Sequence, residues 1–139
     1  ILQSEGKFKE AEISYRKVTQ INPNFIEGYL NLGNILRILG KFKEAEISYR
    51  NAIQLNPKFT EAHLNLGNIL LELEDFQNAE SSTQKAIQIN PNFAEAYLNL
   101  GNILQNLGKF KEAEGPVKGH NIEPIYFDDY EQSPQGVGF

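Results

Sequence analysis

Apolar positions along the chain fall into helical stripes, and the stripes recur as a block. Over residues 26–39, Tyr29, Leu32, Gly33 and Leu36 share one face of a helix and read as core. Glu27, Asn31, Asn34 and Ile38 share another face, which is mostly polar. A second amphipathic segment follows over residues 42–55, with Ala45, Tyr49 and Ala52 on its apolar side. Gly40 ends the first segment, and Pro57 stops the second from joining the next. Asn24 is the expected N-cap, with Glu27 three residues on in a capping-box position. The pattern predicts a helical hairpin.

The hairpin is copied along the chain. Gly-Lys-Phe-Lys-Glu-Ala-Glu begins at Gly6, Gly40 and Gly108, with a degenerate copy around Asp75 and Phe76. Asn-Leu-Gly-Asn-Ile-Leu begins at Asn31, Asn65 and Asn99, and Asn-Pro recurs at Pro23, Pro57 and Pro91. Each set steps by 34 residues, or by 68 across the degenerate copy. One such hairpin cannot bury its apolar face alone, whereas stacked neighbours can. The expected units are a partial repeat at 1–24, repeats at 25–58 and 59–92, a truncated repeat at 93–114 and a tail at 115–139.

Tyr29, Leu32, Gly33, Leu36, Ala45, Tyr49, Ala52 and Pro57 form a pattern that resembles the tetratricopeptide repeat. The next unit offers His63, Leu66, Gly67, Leu70, Ala79, Thr83, Ala86 and Pro91, and a third begins with Tyr97, Leu100, Gly101, Leu104 and Ala113. The resemblance covers residues 1–114. It implies an all-α, right-handed superhelical solenoid of antiparallel helix pairs, with the first helices lining a concave surface. His63 and Thr83 stand where aromatics are usual, which predicts looser packing in their unit.

Charge and composition narrow the function. A formal net charge of −5 gives no general attraction to nucleic acid or anionic membranes, and no apolar run is long enough to span a bilayer. The chain has no cysteine, so disulfides and thiolate metal sites are excluded. That leaves the compartment open, with the cytoplasm as the expectation. The first residue, Ile1, lies inside a repeat, so the sequence reads as a piece of something longer. No phosphate loop, catalytic triad or zinc cluster is present, and neither a cofactor nor enzymatic activity is expected. His63 reads as a packed substitute for tyrosine, and His120 has no partner at metal spacing. Glu27, Glu61 and Glu95 lie in first turns, where they oppose the helix dipole.

The resemblance places the polar stripe inside the groove. It recurs as Glu61, Asn65, Asn68, Glu72 and as Glu95, Asn99, Asn102, Asn106. A ladder of side-chain amides, each with donors and an acceptor, suits the backbone of an extended peptide. This arrangement is similar to the asparagine-ladder repeats of O-linked N-acetylglucosamine transferases. Candidate groove residues are Asn31, Asn34, Asn65, Asn68, Asn99 and Asn102, flanked by Leu30, Leu64, Leu98 and Arg37. The same asparagines can instead bond neighbouring helices, or be copied by duplication without use. Domains of this family that clamp a terminal carboxylate set cations around the groove. Here Arg37 is the only groove candidate with positive charge, so a carboxylate clamp is not expected. The expected role is a scaffold that binds a protein or an extended peptide. The alternatives are an accessory region of a larger enzyme and a self-associating architectural spacer.

After Glu114 the repeat gives way to Gly115-Pro116, a poor continuation of any helix. The tail is expected to be extended or disordered. Its Ile125, Tyr126, Phe127 and Tyr130 are candidates for lying against apolar repeat surface. The broken last repeat is expected to expose Leu100, Ile103, Leu104 and Leu107, and so to favour a homo-oligomer formed through that end or the tail.

Overall fold

The computed structural model describes residues 2–114. Those residues form six helices and no strand: α1 (Leu2–Ile21), α2 (Ile26–Ile38), α3 (Phe42–Leu55), α4 (Thr60–Glu72), α5 (Phe76–Ile89) and α6 (Ala94–Glu114). Each helix packs on its sequence neighbour, and α4 also touches α6. The result is a solenoid in which α2–α3 and α4–α5 are the complete hairpins. The tail candidates Ile125, Tyr126, Phe127 and Tyr130 lie outside the described residues.

Two kinds of turn set the repeat. The first closes each hairpin. Gly40 takes φ +78°, its N–H reaches the Arg37 carbonyl at 3.0 Å, and the Lys41 N–H reaches the Leu36 carbonyl at 2.8 Å. These bonds satisfy carbonyls that the helix end leaves free. Glu74 fills the same place with φ 62°, and the Asp75 N–H bonds the Leu70 carbonyl at 2.8 Å. The second kind joins one hairpin to the next. The side-chain oxygens of Asn22, Asn56 and Asn90 accept from the N–H groups of Asn24, Lys58 and Asn92 at 3.3, 3.1 and 3.3 Å. The intervening proline has no N–H to extend the helix. Asn24 is therefore not the N-cap. That position belongs to Phe25, whose phenyl ring has no capping acceptor, and the turn before it is held by Asn22.

The core alternates large and small side chains. Leu32, Leu36, Leu66, Ile69 and Leu70 from first helices meet Ala45, Tyr49, Ala52 and Ala79 from second helices. A β-carbon on Gly33 would sit 2.5 Å from the Tyr49 ring, so only glycine lets the tyrosine lie across α2. The expected looser packing around His63 and Thr83 is not found, since both are buried. The imidazole of His63 donates from Nε2 to the Pro57 carbonyl at 2.7 Å, the same bond that the Tyr97 hydroxyl makes to Pro91 at 2.8 Å. Thr83 sits over Gly67, and the Ala79 carbonyl lies 3.3 Å from where a β-carbon there would be.

At the ends, the expected turns are missing. The Gly-Lys-Phe-Lys-Glu-Ala-Glu copies at 6–12 and 108–114 stay helical inside α1 and α6. In the middle copy the hairpin closes with the Tyr49 ring of α3 against Gly33 of α2. The expected exposure of Leu100, Ile103, Leu104 and Leu107 is also corrected. Leu100, Ile103 and Leu107 are buried and Leu104 is half-buried, because this face of α6 points back toward the preceding hairpin.

Candidate functional site

The polar stripes of α2, α4 and α6 lie side by side. Their closest approach is a hydrogen bond from Asn65 Nδ2 to Asn34 Oδ1, 3.2 Å long, which ties α4 to α2. The Tyr49 hydroxyl donates to the same oxygen at 2.6 Å. Burial pushes the Tyr49 phenol up to about 12; the Arg37 charge lowers it and Glu61 raises it, so the group stays a donor near neutral pH. Asn34 Oδ1 thus has both of its lone pairs used within the solenoid.

The next pair along, Asn68 and Asn99, has the same 31-residue spacing and no such bond. The facing residue of α5 differs as well. Thr83 replaces the tyrosine, and its hydroxyl turns back to the Ala79 carbonyl at 2.9 Å. Asn99 Nδ2 is left buried with no partner. A buried donor without an acceptor costs about 1–3 kcal/mol. Asn31 and Asn102 are exposed, and Asn106 Nδ2 bonds the Asn102 backbone carbonyl at 2.8 Å.

The flanking leucines do not all face a ligand. Leu30 and Leu64 are 7% and 2% exposed, covered by the following unit, while Leu98 at the equivalent place is 66% exposed. Leu30 and Leu64 therefore serve the joints between units. Arg37 is exposed and Asn65 half-buried. A cleft of about 480 Å³ opens between the α3–α4 and α5–α6 turns, with Phe59, Leu64 and Phe93 as its apolar side and Glu61, Asn65 and Glu95 as its polar side. Sequence reasoning missed this cleft, although the recurring phenylalanine two residues after Pro57 and Pro91 was its signal.

Charge is divided between the two sets of helices. Glu12, Glu44 and Glu46 of the second helices are paired with Arg16, Lys41, Lys43 and Arg50. Among the described residues, no group of histidine, cysteine and carboxylate side chains is placed to hold a metal ion. No helix among them is long and apolar enough to cross a membrane.

Sequence models of the tetratricopeptide repeat match residues 1–25, 60–93, and both 14–47 and 83–115, and a related TPR-repeat model matches 33–74. The chain belongs to the tetratricopeptide-repeat family. No match is found among curated protein sequences. Among solved structures, MamA is 30% identical with a TM-score of 0.71, over 80% of this chain and 65% of that one, so the chain spans about two thirds of MamA's length. The first tetratricopeptide domain of human RPAP3 is 27% identical, with a TM-score of 0.74, over 78% of this chain and 86% of that one. A Thermobaculum terrenum O-GlcNAc transferase is 27% identical, with a TM-score of 0.66, over 73% of this chain and 20% of that one.

Proposed function

We propose that this tetratricopeptide chain is a binding scaffold that takes an extended polypeptide along the amide-lined face of α2, α4 and α6. The observation that carries the reading is the row of asparagines from Asn31 to Asn102, repeated on adjacent helices beside an open cleft. Side-chain amides at this spacing match the alternating C=O and N–H groups of an extended backbone. The cleft at Phe59, Leu64 and Phe93 is placed to receive one side chain of such a ligand. Support also comes from RPAP3, whose first repeat domain has been solved with an HSP90 peptide. That peptide, SRMEEVD, carries three acidic residues, and here Glu27, Glu61 and Glu95 stand exposed on the amide-lined helices. A backbone-directed, sequence-tolerant mode therefore fits this groove better than a carboxylate clamp.

The test is a screen of the 139-residue chain against an array of 15-residue peptides, followed by fluorescence anisotropy on the tightest binder. Replacing Asn31, Asn65 and Asn99 together by alanine is expected to weaken that peptide at least tenfold while the helical circular-dichroism signal persists. Unchanged affinity in the folded triple variant sinks the reading, as does a screen in which no peptide binds.

A further inference from the structure

The two asparagine pairs of the groove are equivalent in sequence and opposite in state. Asn34 and Asn65 are joined to each other, and the Tyr49 hydroxyl holds Asn34 from behind. Asn68 and Asn99 occupy the same places one repeat on, and neither amide has a partner among the described residues. We infer that the Asn68–Asn99 pair is the part of the groove that grips a ligand's backbone, and that Thr83 is what keeps it available. This rests on the peptide-binding reading and adds where along the groove the peptide is held.

The reasoning is an accounting of donors and acceptors. Asn34 Oδ1 already accepts two hydrogen bonds, so a ligand N–H finds no free site there. Asn65 has given one of its two amide hydrogens to Asn34. Asn68 retains a free oxygen because Thr83 is too short to reach it and bonds Ala79 instead. Asn99 Nδ2 is buried without an acceptor, although the residue as a whole is only half-buried. Rotation about its Cβ–Cγ bond, a soft torsion, carries that donor to the groove surface. A peptide bond laid across α4 and α6 then gives its N–H to Asn68 Oδ1 and receives a hydrogen bond from Asn99 Nδ2 on its C=O. Binding there relieves a deficit already present in the free protein. At the Asn34–Asn65 pair, a ligand N–H aimed at Asn34 Oδ1 has to displace one of the two bonds that oxygen already accepts.

Single variants of the full chain test this, with the tightest array peptide as probe and thermal unfolding measured alongside. Asn68→Ala and Asn99→Ala are each expected to weaken binding about fivefold, within the range for one lost hydrogen bond. Neither is expected to lower the melting temperature. Asn34→Ala is expected to lower the melting temperature and change affinity less than twofold. Thr83→Tyr, which imports the hydroxyl that closes the other pair, is expected to raise the melting temperature and weaken binding. If that variant does not fold, the three alanine variants still decide. Affinity unchanged by Asn99→Ala and Asn68→Ala overturns the inference. If the peptide also binds wild type and is lost in the triple Asn31, Asn65 and Asn99 variant, the groove reading survives that failure. If no peptide binds wild type, both fall.

Discussion

The α2–α3 and α4–α5 hairpins share the run Asn-Leu-Gly-Asn-Ile-Leu in their first helices, yet they are held together by different means. In α2–α3 a fully buried tyrosine lies across Gly33, and its hydroxyl begins a relay through Asn34 to Asn65. In α4–α5 a threonine takes that place, its hydroxyl satisfied locally, and the relay stops. The joints in front of the two hairpins differ as well. Lys41 and Glu44 reach back to Glu12 and Arg16 of α1, at 3.1 and 2.5 Å. One repeat on, Asp75 and Asn78 fill those positions and bond each other at 2.8 Å, while Glu46 pairs within α3 to Lys43 and Arg50. Copied residues fix the backbone, and a few uncopied ones decide how neighbouring units are coupled. The front of the solenoid is tied by polar contacts, while the rear joint, centred on Leu64, Ala86 and Ala96, depends on apolar packing.

The largest expected effect comes from the glycines that face the second helices. Gly33→Ala drives a methyl into the Tyr49 ring, and Gly67→Ala meets both Thr83 and the Ala79 backbone. Each is expected to destabilise by about 3 kcal/mol in urea unfolding, the upper range for overpacking. At Gly101 an added β-carbon meets nothing among the described residues, so Gly101→Ala is expected to stabilise by about 1 kcal/mol through helix propensity. Equal effects at the three sites would mean that the close approach of the second helices is not what requires glycine.

Next come the hairpin turns. Glu74 holds φ 62° with a side chain, where Gly40 holds φ 78° without one. Glu74→Gly is expected to stabilise by about 1 kcal/mol and Gly40→Ala to destabilise by a similar amount, since left-handed backbone disfavours a β-carbon. Calorimetry on the two variants reads this as melting temperatures moving in opposite directions.

The ion pairs give a smaller, pH-dependent effect. Burial raises the Glu12 carboxyl, but hydrogen bonds and charge from Lys41 and Arg16 together outweigh it and hold the group below its ordinary value of 4.5. A depressed folded value means the stabilisation is complete above the unfolded pKa and is lost as pH falls through the folded one. Wild type is therefore expected to lose about 1 kcal/mol on acidification below pH 4.5 that Glu12→Gln does not lose. Parallel acid limbs for the two proteins would remove Glu12 from the account. The smallest effect is at the joint in front of α4–α5. Asp75→Lys recreates the Lys41 position opposite Glu46 and is expected to add about 0.5 kcal/mol, an increment that 1 M salt abolishes.

Much of the fold was legible in the sequence, because a 34-residue period multiplies each weak signal. The second helix expected at 42–55 is α3 as found, and Tyr29, Leu32, Gly33 and Leu36 lie half-buried or buried as expected. The asparagine face was legible for the same reason. Which asparagines are occupied was not, since that depends on Tyr49 and Thr83 reaching across from another helix. Leu30 and Leu98 illustrate the same limit. They have identical places in the repeat, and only a neighbour in space separates 7% from 66% exposure.

The heptapeptide that bends at 40–46 and runs straight at 6–12 and 108–114 has a consequence for folding order. Its local preference does not choose between turn and helix, so the choice falls to whatever docks beside it. A hairpin of this kind closes when its second helix finds the glycine notch, and that closure creates the surface on which the next helix lands. Order then advances like a zipper, with each tooth engaged by the one before it, and cooperativity resides in the notches and not in the helices themselves. A block copied into such an array brings its own notch, so lengthening the solenoid by duplication needs no new turn signal.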